Sequence, residues 1–161
     1  MLNRVRKIAG RIIEESFPLL EGKRIFFIVI WFRFYAMSFL IPPCLRIIVI
    51  SKRARKFTDS ALTALIAHEL CHQERYIRMG LRNYLKFIPG YLFSKKIQRS
   101  EEVATDLMAI EKGYARELYE LTIISHKDDR HRKIIDNYLT PEEIREYALR
   151  KGVWKDPVIE E

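Results

Sequence analysis

Residues 45–72 read LRIIVISKRARKFTDSALTALIAHELCH, and most of the architecture can be argued from them. The run LRIIVIS (45–51) is short and largely β-branched, the composition of a strand. The pattern then changes period. Thr58 or Asp59 can cap a helix by accepting a bond from an otherwise unpaired N–H. Ala61, Leu62, Leu65, Ile66 and Leu70 recur at helical spacing, and Gly80 can end the run. A strand leading into a long helix is therefore expected. That helix carries His68-Glu69-Leu70-Cys71-His72, an H-E-x-x-H pattern. Positions four apart lie on one helical face, so the two imidazoles can converge on one ion. Glu69 stands beside them, close enough to hold a metal-bound water. An amphipathic helix with two incidental histidines would bury two unpaired imidazoles at a cost. A metal site explains the pattern better.

Upstream, Val5, Ile8, Ile12 and Ala9, Ile13, Phe17 give residues about 3–17 a helical stripe. RIFFIVIWF (24–32) has the composition of a buried strand. FYAMSFLI (34–41) is ambiguous, a strand or an irregular rim segment, and Pro42-Pro43 turns the chain. Downstream, residues 81–97 read as an aromatic, basic connector around Pro89-Gly90, and Glu101 to about Leu121 as a helix. Thr140-Pro141-Glu142-Glu143 is a capping box opening a helix over 141–151. The expected fold is one α+β domain over 1–161: an N-terminal helix, a short mixed sheet, the H-E-x-x-H helix, a glutamate-bearing helix and C-terminal helices.

Catalytic zinc usually takes three protein ligands and keeps one position for water. No histidine lies between His72 and His126, but Glu102 and Asp106 are four apart in SEEVATD (100–106). Glu102 can bind the metal while Asp106 accepts the outer N–H of a ligand histidine, fixing its tautomer. Carboxylates also favour helix N-termini for electrostatic reasons, and Glu101, off the Asp106 face, fits that plainer role. Two histidines and one glutamate favour Zn2+ over other divalent ions.

The stretch IVISKRARKFTDSALTALIAHELCH followed by EEVATD resembles the gluzincin clan of zinc metallopeptidases. It is most similar to the group of the CAAX prenyl proteases and heat-shock membrane proteases, and to their small stand-alone relatives, the minigluzincins. The likeness covers about residues 45–110. It implies that His68, His72 and Glu102 ligate zinc, that Glu69 is the general base, and that Asp106 orients His68. Cys71 stands where such motifs often have glycine; it is small enough to pack against a sheet. Basic H-E-x-x-H chains also resemble SprT-like proteases of DNA-bound proteins. Their third ligand is a histidine soon after the motif, which this chain lacks.

The expected substrate is a peptide or protein, with Glu69 moving the proton of the attacking water to the leaving amine. Tyr114, His126 and His131 are candidates for a second oxyanion donor, and His126 is favoured; the two histidines could equally be exposed residues of the charged stretch SHKDDRHRK (125–133). Strand 45–51 could offer an open edge to an extended peptide. In the connector, Tyr84, Phe87, Ile88, Tyr91, Leu92 and Phe93 could line a pocket, touch a membrane surface or simply pack over the core. The tail 153–161 could instead keep the enzyme latent, with Asp156, Glu160 or Glu161 displacing the zinc water.

Composition narrows the alternatives. The 161 residues are 48% hydrophobic and 31% charged, which excludes a disordered or collagen-like chain. Lys and Arg number 29 against 21 Asp and Glu, a formal net charge of +8. That permits a basic binding module for nucleic acid or a membrane surface, with a structural metal site, as a second class of function. No nucleic-acid signature supports such a module, and the basic clusters lack interleaved aromatics. Cys44 and Cys71 cannot build a disulfide framework. The uncharged runs 25–32 and 34–45 fall short of the roughly 20 residues of a spanning helix. No secretory signal opens the chain, so the cytoplasm is the default expectation.

Overall fold

The computed structural model describes residues 1–128 and 135–154. Helix α1 (Leu2–Ser16) turns Val5, Ile8, Ala9 and Ile12 inward at the period its sequence dictates. A short 3-10 turn at Pro18–Leu20 follows, with Phe17 and Leu20 fully buried. Strands β1 (Ile25–Ile30), β2 (Ala36–Ile41) and β3 (Leu45–Ser51) then form one sheet in the order β1-β3-β2. β1 runs parallel to β3 and β2 antiparallel to it. The ambiguous segment 34–41 is thus a strand from Ala36 onward, and the fold is α+β.

One expectation about the sheet is overturned. β3 lies in the centre, paired on both sides, so it offers no open edge. An open edge belongs instead to β2. Register places Ala36, Ser38 and Leu40 beside Ile50, Ile48 and Arg46 on the inner face. Met37, Phe39 and Ile41 fall on the outer face with Val49, Ile47 and Leu45.

Helix α2 (Asp59–Met79) is the axis of the fold. The Thr58 hydroxyl accepts from Ala61 N at 3.0 Å, while Asp59 pairs with Arg4. Every residue from Ala61 to Glu74 is buried, against α1, β2 and later helices. Burial of this order contributes about 1.5–3 kcal/mol per large apolar side chain. Cys71 belongs to this core, and Cys44 is an exposed free thiol.

The segment 81–97 is not a loop. Its first thirteen residues form α3 (Leu81–Phe93), with Pro89 inside the helix. Gly90 lies so close to α4 (Lys95–Ala109) that a Cβ there would stand 2.7 Å from Ile97 Cδ1. The glycine is a packing contact rather than a break. Helix α4 starts six residues before Glu101, so Glu101 and Glu102 occupy its second turn and not its first. A π-type turn at Ile110–Tyr114 then kinks the chain at Gly113, whose φ of 93° suits glycine. Helix α5 (Ala115–His126) leaves in a new direction, which splits the single helix expected over 101–121. The capping box of α6 (Pro141–Arg150) forms as the sequence predicts: Thr140 Oγ1 accepts from Glu143 N, and Thr140 N donates to the Glu143 carboxylate. Among the described residues no helix is long and apolar enough to cross a membrane.

Candidate metal centre

His68 and His72 lie one turn apart on the buried face of α2, and Glu102 reaches them from α4. His68 Nε2 is 3.1 Å from Glu102 Oε2, and His72 Nε2 is 3.4 Å from the same oxygen. The three side chains each offer one ligand atom, and these atoms lie within 4.8 Å of one another, all buried. Such a group can hold a metal ion.

The outer nitrogens are also engaged. His68 Nδ1 lies 2.9 Å from Asp106 Oδ1, whose other oxygen accepts from Leu139 N at 3.0 Å. His72 Nδ1 lies 3.3 Å from Thr105 Oγ1 and 3.4 Å from Glu101 Oε1. A carboxylate on Nδ1 makes that nitrogen the donor, so that in the neutral ring Nε2 carries the lone pair a metal ion would use. Asp106 sits on His68 where the resemblance places it. Glu101 corrects the expectation of a solvated acid: it is buried, held by Arg75 through bonds of 2.8 and 2.7 Å, and it faces His72. Burial opposes its charge, but Arg75 and His72 outweigh that and hold its carboxyl down near 2.

Electrostatics bind the cluster tightly. Burial works against a charge on His72, yet Glu102 and Glu101 push it up to about 9. Burial likewise opposes ionisation of Glu102, but His72 and His68 pull its carboxyl well below the usual range. Glu69 is different. Burial dominates there and raises it to about 7, and its Oε2 is buried with no hydrogen-bond partner. Its main-chain carbonyl accepts from Ser38 Oγ at 3.1 Å, which fastens β2 beside the centre.

Two tyrosines join the site that no spacing announced. Tyr91 of α3 donates to Glu102 Oε1 at 2.5 Å, leaving Oε2 to the histidines. Tyr138 places its ring centroid 5.7 Å from that of His68. Burial, then Glu102, raise its phenol well above the ordinary value, so it stays a proton donor. It lines a largely apolar pocket with Phe34, Leu65, His68, Glu69 and Leu121.

Of the candidate oxyanion donors, His126 stands on the wall of this pocket, where its Nδ1 donates to Thr122 O at 2.8 Å. In the neutral ring that bond leaves Nε2 an acceptor. Tyr114 is elsewhere: its hydroxyl donates to Ser16 Oγ and its ring stacks on Phe17. His131, Asp156, Glu160 and Glu161 lie outside the described residues. In the segment 81–97, Tyr84 packs with Leu40 and Tyr76, whereas Leu92 and Phe93 are exposed. Comparison with protein-family models, curated proteins and solved structures finds no match.

Proposed function

We propose that the chain is a zinc-dependent metallopeptidase with His68, His72 and Glu102 as ligands and Glu69 as general base. The observation that carries the reading is the convergence of both Nε2 atoms on Glu102 Oε2, at 3.1 and 3.4 Å. Ligand atoms about 2.0–2.1 Å from a tetrahedral zinc lie about 3.3 Å apart, so the donor set fits that ion. The resemblance of the H-E-x-x-H and E-x-x-x-D segments to gluzincins points the same way. Zinc, when bound, supplies a Lewis acid that acidifies water and polarises a carbonyl.

The remaining work falls to the chain. Glu69, with a free oxygen beside the ligands, takes the proton of the attacking water and returns it to the leaving amine. Tyr138, kept protonated, donates to the developing oxyanion, a role for which it is better suited than His126. Ser51 N donates to Tyr35 O, so strand alternation turns the main-chain groups of Ala36, Ser38 and Leu40 to the open edge of β2. Leu40 N is already engaged there by the Tyr84 hydroxyl, at 3.2 Å. An extended peptide would pair with Ala36 and Ser38 and place an apolar side chain in the pocket beside Glu69.

The test is hydrolysis of fluorogenic peptides with apolar side chains by zinc-loaded protein. Wild type should cleave; Glu69→Gln should lose at least about a hundredfold in kcat while retaining its zinc. Equal activity in the two proteins would contradict the reading.

A further inference from the structure

The outer face of the sheet is apolar except for Ser51 at one end. Phe26, Ile28 and Ile30 of β1 lie in register with Ile47, Val49 and Ser51 of β3. Val49 and Ile47 continue into Met37 and Phe39 of β2, and the row closes with Leu45 beside Ile41. Ser51, at the strand end, is buried. Phe26, Ile30 and Ile41 are 44%, 46% and 48% exposed, and Trp31, just past β1, is 69% exposed. A sheet with one wet face normally alternates apolar with polar residues. A contiguous apolar face of this kind marks a docking surface.

Charge identifies what docks. Between Gly22 and Thr58, the segment holding all three strands, the sequence has eight Lys and Arg and no Asp or Glu. Subtracting those eight from the chain's 29 leaves 21 basic against 21 acidic residues, so the whole formal excess of +8 lies in this segment. Lys23 and Arg24, leading into β1, are exposed, as are Arg33 beyond Trp31 and Arg55 and Lys56 after β3. Two copies joined through this face would bring two such segments together with no acid inside either to pair them. An anionic surface supplies the missing charge, and an exposed tryptophan at the end of an apolar face suits a bilayer interface.

We propose that the outer sheet face docks on an anionic lipid bilayer, with Trp31 entering the interface and the flanking Lys and Arg on the headgroups. The metal centre lies on the inner side, where Ala36 and Ser38 meet α2, so the cleft stays open when the face is covered. The inference is independent of the peptidase reading.

The experiment uses the full chain carrying Trp154→Phe, so that Trp31 is its only tryptophan and is excited selectively over the tyrosines. Vesicles of phosphatidylcholine, with or without about a third phosphatidylserine, are added at about 0.1 M salt. Binding should be at least about tenfold stronger with phosphatidylserine. Trp31 emission should shift to the blue and be quenched by brominated lipid. Ile28→Asp, checked for unchanged circular dichroism, should weaken vesicle binding at least about tenfold. If that variant fails to fold, the quenching decides. Absence of vesicle binding would overturn the proposal, as would binding with Trp31 unquenched. So would a dimer in light scattering that Ile28→Asp converts to monomer, which would make a second copy the occupant.

Discussion

Tyr138 and His126 face the same pocket, but they differ in which has a proton to give. The Tyr138 phenol is held protonated by its burial and by Glu102. His126 spends its Nδ1 proton on Thr122 O. Removing one oxyanion donor typically costs about 10²–10³ in kcat. Tyr138→Phe should therefore lower kcat by about that factor with KM little changed, whereas His126→Ala should lower it less than about tenfold. Steady-state kinetics of the two zinc-loaded variants checks this. The residue scale also shows where the sequence could be read and where it could not. His68, Glu69 and His72 are legible because helical spacing alone puts them on one face. Glu102 and Asp106 are legible because four-residue spacing does the same on a second helix. Glu101 is not, because its meaning depends on Arg75 arriving from α2. Tyr91 and Tyr138 come from separate segments, and nothing in their spacing relates them to the histidines.

Among the elements, the kink between α4 and α5 aims the second wall of the pocket. Gly113 at φ 93° redirects the chain so that Leu118, Leu121 and Thr122 face Leu65 and Glu69. An L side chain at that φ is strained. Gly113→Ala should lower stability by more than about 1 kcal/mol, at about 2–4 °C of Tm per kcal/mol for a chain of this size. Thermal denaturation followed by circular dichroism measures it; an unchanged Tm would mean that the kink relaxes freely. The sequence reads as one helix through this point because an isolated glycine in a helical pattern is a weak signal. It reads as a break at Pro89-Gly90 for the opposite reason. There both residues are usual helix breakers, yet the close contact of Gly90 with Ile97 holds the α3–α4 pair together. That packing delivers Tyr91 to Glu102. β1 and β3 were legible by composition while β2 was ambiguous, and the strand order was not legible, because central placement of β3 depends on pairings that no local pattern encodes.

Over the whole molecule, folding and metal binding should be linked through pH. In the metal-free protein burial and the neighbouring His68 oppose a charge on His72, but Glu102 and Glu101 outweigh them and raise it to about 9, above an unfolded value near 6.5. A raised value gives stability that is full below about pH 6.5 and lost as pH climbs through about 9. Metal binding requires the neutral ring and strengthens over the same window. The Tm gained on replacing chelator with zinc should therefore widen from pH 6 toward pH 9; a constant gain would place His72 outside the site. The most direct measurement is zinc content after dialysis against dilute zinc, for wild type beside Glu102→Ala. The account predicts close to one zinc per chain in wild type and a loss of at least about tenfold in affinity in the variant. No zinc in wild type, or equal zinc in both proteins, would contradict the three-ligand centre.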